Sequence, residues 1–297
     1  MKANGFPRFA SIGGLLLLAA CSRQPEAGAA GPVAEEKRYP LTGEVLSVDA
    51  ARGRITVSHD AVPGFMPAMT MEFGAAPGDV AIVHPGERIR AELVADLKAP
   101  RLEKVWPDDR AAADAVAAGQ RRLREDTHDR GNEVYRDVGE AMPEFALFDQ
   151  AGRLVQSGRF RGRQVMLNFI YTRFPFANMC PASTQKMMSA QRMAREAGVR
   201  NIEFVSISMD SAYDTPGVLR AYADDRGIDT SNFSFLTGPD GAVRDLLTQF
   251  GIKAEFEGNL LRHTLATLLI DDRGRIIWRV DGTEWQPQDF VARMRKG

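Results

Sequence analysis

The side chains best equipped for chemistry in this chain of 297 residues are thioethers, thiols and imidazoles: 12 Met, two Cys and four His. They fall into two groupings. The first is the run His59-Asp-Ala-Val-Pro-Gly-Phe-Met-Pro-Ala-Met-Thr-Met71. Met69 and Met71 are two apart, so on a strand their thioethers point to one face. His59 ends the preceding apolar run and can face them across a sheet. A neutral imidazole with two or three thioethers is a soft, uncharged ligand set, suited to Cu(I) or Ag(I) and poor for Mg or Ca. Thioethers carry no proton, so such a site binds with little competition from protons. The plain alternative is that Met66, Met69 and Met71 fill a small core.

The second grouping is built around Asn168-Phe-Ile-Tyr-Thr-Arg-Phe-Pro-Phe-Ala-Asn-Met-Cys-Pro181. It starts as a buried strand and ends in a Cys-Pro pair opening a helix. There the helix dipole and free N–H groups lower the pKa of the Cys180 thiol. A dithiol site needs a second cysteine after Thr172-Arg173, and Phe174 stands in that place. His263 precedes a later strand, which resembles the place where thioredoxin-like folds set a loop against the thiol. One thiolate and one imidazole can hold Cu(I) two-coordinate, with Met179 as a third ligand, at lower affinity than a two-cysteine site. The alternative is that Cys180 is a remnant.

The elements that must position these groups can be read in chain order. Lys2 and Arg8 precede a nine-residue apolar run, Ile12 to Ala20, too short to span a bilayer. It ends in Leu18-Ala19-Ala20-Cys21, which resembles the lipobox of bacterial lipoproteins, with Cys21 as the lipidated residue. A plain secretory signal is the alternative. Ser22 at the next position leans towards the outer membrane. Residues 1–21 are thus expected to be a lipoprotein signal peptide. Residues 22–38, rich in Ala, Gly, Pro and Glu, are expected to be a flexible tether facing the periplasm. With Cys21 lipidated, Cys180 is the one remaining thiol and no internal disulfide can form. The net charge of -1 offers no basic excess for nucleic acid.

Residues 39–106 alternate in hydrophobicity between Gly and Pro punctuation. Strands are predicted at Leu41–Val48, Arg54–His59, Thr70–Phe73, Arg88–Val94 and Leu102–Trp106, the pattern of a small OB-like β-barrel. Residues 107–140 are charged and Ala-rich, and predict a helical, mostly solvated connector with His128 on its surface. Residues 141–297 alternate strand and helix. Strands are predicted at Val165–Tyr171, Glu203–Met209, Phe233–Leu236, Thr264–Ile270 and Arg275–Val280. Helices are predicted from Ala182 to Ala197, from Pro216 behind a Thr215 cap, from Ala242 to Phe250, and after Pro287. This order fits an α/β sandwich of the thioredoxin-like kind.

Two resemblances follow from these strings. Pro-Ala-Met-Thr-Met behind a His resembles the small periplasmic copper carriers of the CusF type, and the resemblance implies His59, Met69 and Met71 as copper ligands. The carriers' copper-capping Trp corresponds to Met66 here, so the resemblance implies Met66 as a fourth soft ligand or a lid. Phe169-Ile-Tyr-Thr-Arg, Cys180-Pro181, Ile207-Ser-Met-Asp210, Asp214-Thr-Pro216, Phe235-Leu-Thr-Gly238 and His263-Thr-Leu-Ala-Thr-Leu-Leu-Ile-Asp271 resemble the Sco/SenC family of copper chaperones for cytochrome oxidase. That resemblance implies Cys180 and His263 as copper ligands, Asp210 beside them, and a lost first cysteine at Phe174. The expected protein is a non-enzymatic envelope lipoprotein. It would carry Cu(I) between donor and acceptor proteins, cytochrome c oxidase among them, with a membrane contact through its lipid. A one-cysteine peroxidase, a thiol-disulfide reductase, or a docking domain with a degenerate second site are the alternatives. The reductase would need a resolving thiol that the chain lacks.

Overall fold

The computed structural model describes residues 36–96, 99–131, 134–173, 180–257 and 260–295. Cys21, Phe174 and Met179 lie outside the described residues, as do the leader and most of the expected tether.

The N-terminal part is built from β1 (Arg38–Asp49), β2 (Arg54–His59), β3 (Met69–Ala75), the short helix α1 (Pro77–Ile82), β4 (Arg88–Val94) and β5 (Arg101–Pro107). The five strands close into a barrel in the order β1-β2-β3-β5-β4. Alternation makes the interior: Leu41 and Val45, Ile55 and Val57, Phe73, Ile89 and Leu93, and Leu102 and Val105 all point inward and are buried. Closure requires bent strands, and two bulges supply the bends. One lies on β1 between Val45 and Ser47 and leaves Leu46 exposed. The other lies on β5 opposite Arg90 to Glu92, where Lys104 takes a left-handed φ of 52°. Each predicted strand of this region is present. The helix α1 was not expected, because six residues are too few to display a helical period.

The helix α2 (Arg110–Arg130) starts at Asp109, whose carboxylate accepts the N–H groups of Ala111 and Ala112 at 2.8 and 3.2 Å. It corrects the expectation of a solvated connector. Ala112, Val116, Gly119 and Leu123 form a narrow stripe that is buried in the core of the following sheet. The stripe is easily missed because it is made of small residues. Their smallness lets the helix approach closely: a Cβ on Gly119 would stand 3.0 Å from the Ala146 backbone nitrogen. The polar face is also engaged, since Gln120 and Arg124 both donate to Asp245 at 2.9 and 2.7 Å.

The remaining elements are β6 (Ala146–Asp149), β7 (Leu154–Gln156), β8 (Gln164–Ile170), α3 (Cys180–Glu196), β9 (Ile202–Ser208), α4 (Pro216–Asp225), β10 (Phe233–Thr237), α5 (Asp240–Gln249), β11 (Ala254–Glu257), β12 (Leu260–His263), β13 (Ala266–Ile270), β14 (Ile276–Asp281) and α6 (Pro287–Val291). Seven strands form one sheet in the order β14-β13-β8-β9-β10-β6-β7, and β11 and β12 form a separate hairpin. The strands β8, β9 and β10 run parallel, while β13 lies antiparallel to β8. Both faces are covered, as a parallel core requires. Val165, Leu167 and Phe169 of β8 pack with α2 and α5, whereas Met166 and Ile170 pack with α3, α4 and α6. The Thr215 hydroxyl accepts the Val218 N–H and caps α4 ahead of Pro216, as the sequence predicts.

Barrel and sheet meet through α1, α4 and Trp106. The Trp106 ring packs edge-on against Phe148 at 5.9 Å, inside the sheet's own core. Gly78 and Gly217 touch backbone to backbone: a Cβ on Gly78 would lie 2.0 Å from the Gly217 carbonyl oxygen. Asp79 is buried in the same contact, and its Oδ1 has no hydrogen-bond partner among the described residues. Burial, helped by the negative charge of Glu103, pushes its pKa from 3.8 up to about 7.

Candidate metal centres

The barrel centre lies where β2 ends. In the antiparallel pairing of β2 with β3, His59 stands opposite Met69, and Val57 stands opposite Met71. Directly opposed residues of such a pair share a face, with Cβ atoms about 5 Å apart. His59, Met69 and Met71 are therefore on one face, and it is the inner face, shared with Ile55, Val57 and Phe73. Burial is graded along it. His59 is 2% exposed, Met71 is half-buried against the barrel core, and Met69 is 47% exposed.

The histidine is set up as a lone-pair donor. Its Nδ1 lies 2.7 Å from the Asp60 carbonyl oxygen, which can only accept, so the ring proton sits on Nδ1. Nε2 is left as the lone-pair nitrogen, buried and without a hydrogen-bond partner among the described residues. A buried polar atom without a partner is costly in a folded protein, and binding an ion is one ordinary way to satisfy it. The ring lies edge-on to Phe73 at 6.0 Å. Met66 is half-buried in the turn that follows, where Val62 and Met66 exchange backbone hydrogen bonds of 2.9 and 3.1 Å. Gly64 makes the turn possible with a φ of +73°. At its tip Phe65 stacks on Tyr39 with ring centroids 4.5 Å apart. Among the described residues, no group of three His, Cys, Asp or Glu could hold a metal.

The expected second centre falls at the C-terminal ends of β8 and β9. Cys180 is the first residue of α3, whose start is tied to the sheet: Asn168 donates to Ser183 at 3.0 Å and accepts from Ser206 at 2.6 Å. His263 is on a strand rather than in the expected loop. It ends β12, with Ala254 of β11 as its pairing partner. Its ring meets Tyr171, just past β8, edge-on at 5.5 Å. Burial lowers the imidazole pKa, against a weak opposing bond to the Thr264 carbonyl, so the neutral, metal-competent form prevails near neutral pH.

Asp210, expected beside this centre, lies two residues past β9, at the same end of the sheet. Its buried carboxylate receives Arg173 Nε at 2.5 Å and Nη2 at 3.3 Å, and the same guanidinium lies over the Tyr213 ring at 4.9 Å. Asp214, which the sequence offered only as part of a motif, lies beneath. It accepts the Thr172 N–H at 3.2 Å, the Thr172 hydroxyl, and the Ser208 hydroxyl at 2.6 Å. Burial nevertheless raises its pKa to about 6. Both carboxylates thus fasten residues 172 and 173, where the chain leaves β8.

Comparison with known proteins matches two family models to separate parts of the chain. The family model described as SCO1/SenC matches residues 134–296, and that described as copper binding periplasmic protein CusF matches residues 38–107. An SCO2-like protein of Rickettsia typhi is 28% identical over 154 residues, spanning 48% of this chain and 71% of its own. The mitochondrial SCO2 homolog of Bos taurus is 28% identical over 197 residues, spanning 64% and 68% respectively. Among solved structures, a SCO1/SenC family lipoprotein from Bacillus anthracis is 23% identical, covering 54% of this chain and 97% of its own with a TM-score of 0.49. Yeast Sco1 with copper bound is 20% identical over 52% of this chain and 85% of its own, with a TM-score of 0.45.

Proposed function

The chain belongs to the SCO1/SenC family, and from that premise we propose that it is an envelope copper carrier whose principal Cu(I) seat is the barrel. The observation that carries this reading is the His59 imidazole: buried, its Nδ1 satisfied by Asp60, its Nε2 unpartnered, and its strand neighbour a methionine. His59, Met69 and Met71 are the ligands in this reading, with Met66 closing the turn over them. The donor set is neutral and soft, which favours Cu(I) over harder divalent ions. The half-exposed Met69 gives the ion a route to a donor or acceptor protein.

Cys180 and His263 form a second, weaker seat, because Phe174 replaces the other thiol that the family resemblance places there. The same replacement disfavours thiol-disulfide catalysis, since with Cys21 lipidated no resolving thiol is left in the chain. The protein is therefore a carrier rather than an enzyme. Residues 39–106 and 141–297 are its two modules, and lipidation at Cys21 would hold both at a bacterial membrane, facing the periplasm. Copper relay towards cytochrome c oxidase assembly is the role that the family suggests.

The test is Cu(I) affinity by competition with a chromophoric chelator, in the full chain carrying Cys180→Ala and His263→Ala. Changing Met69 or His59 (M69L or H59Q) should lower it by at least about a hundredfold, since even groups one shell away from a metal are worth 10–100-fold. Unchanged affinity in both variants would refute the barrel seat.

A further inference from the structure

The geometry points to Asp60 and Arg88 as positioning residues that fix the His59 tautomer, an inference that rests on the barrel reading above. The imidazole is held by a carbonyl, and that carbonyl belongs to a residue that is itself clamped. The Asp60 N–H donates to the Thr42 carbonyl at 2.9 Å, extending the β1–β2 ladder by one step. Its Oδ2 accepts the Thr42 hydroxyl at 2.7 Å and Arg88 Nη2 at 2.6 Å. Asp60 is thus pinned to β1 twice and to β4 once, and its carbonyl is left facing His59 Nδ1 at 2.7 Å. Arg88 is positioned in turn. Its carbonyl accepts the Asp108 N–H at 2.8 Å, and its Nε lies 3.6 Å from the Asp108 carboxylate, where β5 leaves the barrel.

The chemical consequence follows from the two ring nitrogens. Which one is left with the lone pair is set by the hydrogen bond that the other makes. An acceptor fixed at Nδ1 keeps the proton there and the lone pair on Nε2, the buried nitrogen. If the carbonyl swings away, the proton can sit on Nε2 and the metal must first displace it. Asp60 and Arg88 are well exposed, with side chains 55% and 48% accessible. A pair so placed contributes little to folding. Its value is in where it leaves the carbonyl, so its removal should change the ring and spare the barrel.

The experiment uses the full chain carrying Cys180→Ala and His263→Ala, with histidine labelled in both ring nitrogens, and Ag(I) as the probe. In the parent chain, nitrogen NMR should show His59 with its proton on Nδ1, and Ag(I) should shift Nε2. In Asp60→Ala and in Arg88→Gln the ring should become a mixture of tautomers, and Ag(I) affinity should fall about tenfold, the lower end of what such outer groups contribute. Thermal stability should be unmoved. Asp60→Asn, which can still accept from Thr42 and Arg88, should restore both ring and affinity. A His59 that keeps the Nδ1 proton in Asp60→Ala overturns the clamp even if Ag(I) binds. Absence of any Ag(I) shift at Nε2 in the parent chain overturns the metal seat itself, independently of the tautomer result.

Discussion

Replacing Gly78 with alanine should destabilise the protein by about 3 kcal/mol, the upper end of ordinary overpacking costs. The added Cβ would sit 2.0 Å from the Gly217 carbonyl oxygen and 2.8 Å from its carbon. Those atoms are backbone and cannot rotate away, so α1 and α4 must separate. Separation would also loosen Trp106 from Phe148, because both contacts belong to one junction between barrel and sheet. Thermal unfolding should therefore fall by roughly 6–12 °C, at 2–4 °C per kcal/mol for a body of this size. Gly217→Ala attacks the same contact from the other side, since its Cβ would meet the Asp79 backbone nitrogen at 2.8 Å. The double variant should cost less than the sum of the singles, because once the helices have parted the second clash is already relieved. Additive losses would show that the two glycines do not share one contact.

Asp79 should give the junction a pH dependence. Its carboxyl has a raised pKa, about 7 against an ordinary 3.8, chiefly because it is buried and secondarily because of Glu103. Glu103 faces it from β5, where Arg38 and Arg101 partly neutralise that charge, and Arg220, Asp224 and Asp225 are the charged residues of α4. A group that holds its proton more tightly when folded favours the folded state at low pH. That contribution is complete below pH 3.8 and is lost as the pH rises to about 7. The difference spans roughly 4 kcal/mol at 1.36 kcal/mol per unit. Asp214, raised to about 6, adds a dependence of the same sign. Asp79→Asn removes the first and keeps the second. Denaturant unfolding at pH 5 and pH 8 should accordingly show a smaller loss in Asp79→Asn than in the parent chain. Equal losses in the two proteins would show that Asp79 does not titrate at the junction.

The sequence was most legible where one local rule decides the structure. Alternation placed Ile55, Val57 and His59 on one face of a strand, and spacing placed Met69 and Met71 together. The opposition of His59 and Met69 then required only that the two strands be neighbours. Thr215-Pro216 announced a helix start for equally local reasons. What stayed hidden depends on distant partners. The Ala112, Val116, Gly119 and Leu123 stripe reads as polar helix until the sheet it enters is known. His263 was expected in a loop, because β11 and β12 are four residues each and stabilise one another rather than joining the main sheet. Nothing near His59 in the sequence reveals that Arg88, 28 residues beyond Asp60, holds the residue that orients the imidazole. The partner of Asp210, which its motif places beside the second centre, was hidden too. The pairing with Arg173 is a matter of side-chain direction that the motif does not encode.

The central claim is that the barrel, not Cys180, is the principal seat of copper. Its most direct test is the copper content of the full chain after Cu(I) loading and desalting, read by native mass spectrometry. The chain carrying Cys180→Ala and His263→Ala should retain a stoichiometric copper, and adding Met69→Leu and Met71→Leu should remove it. Copper that disappears with Cys180 and His263 yet survives the loss of Met69 and Met71 would contradict the account.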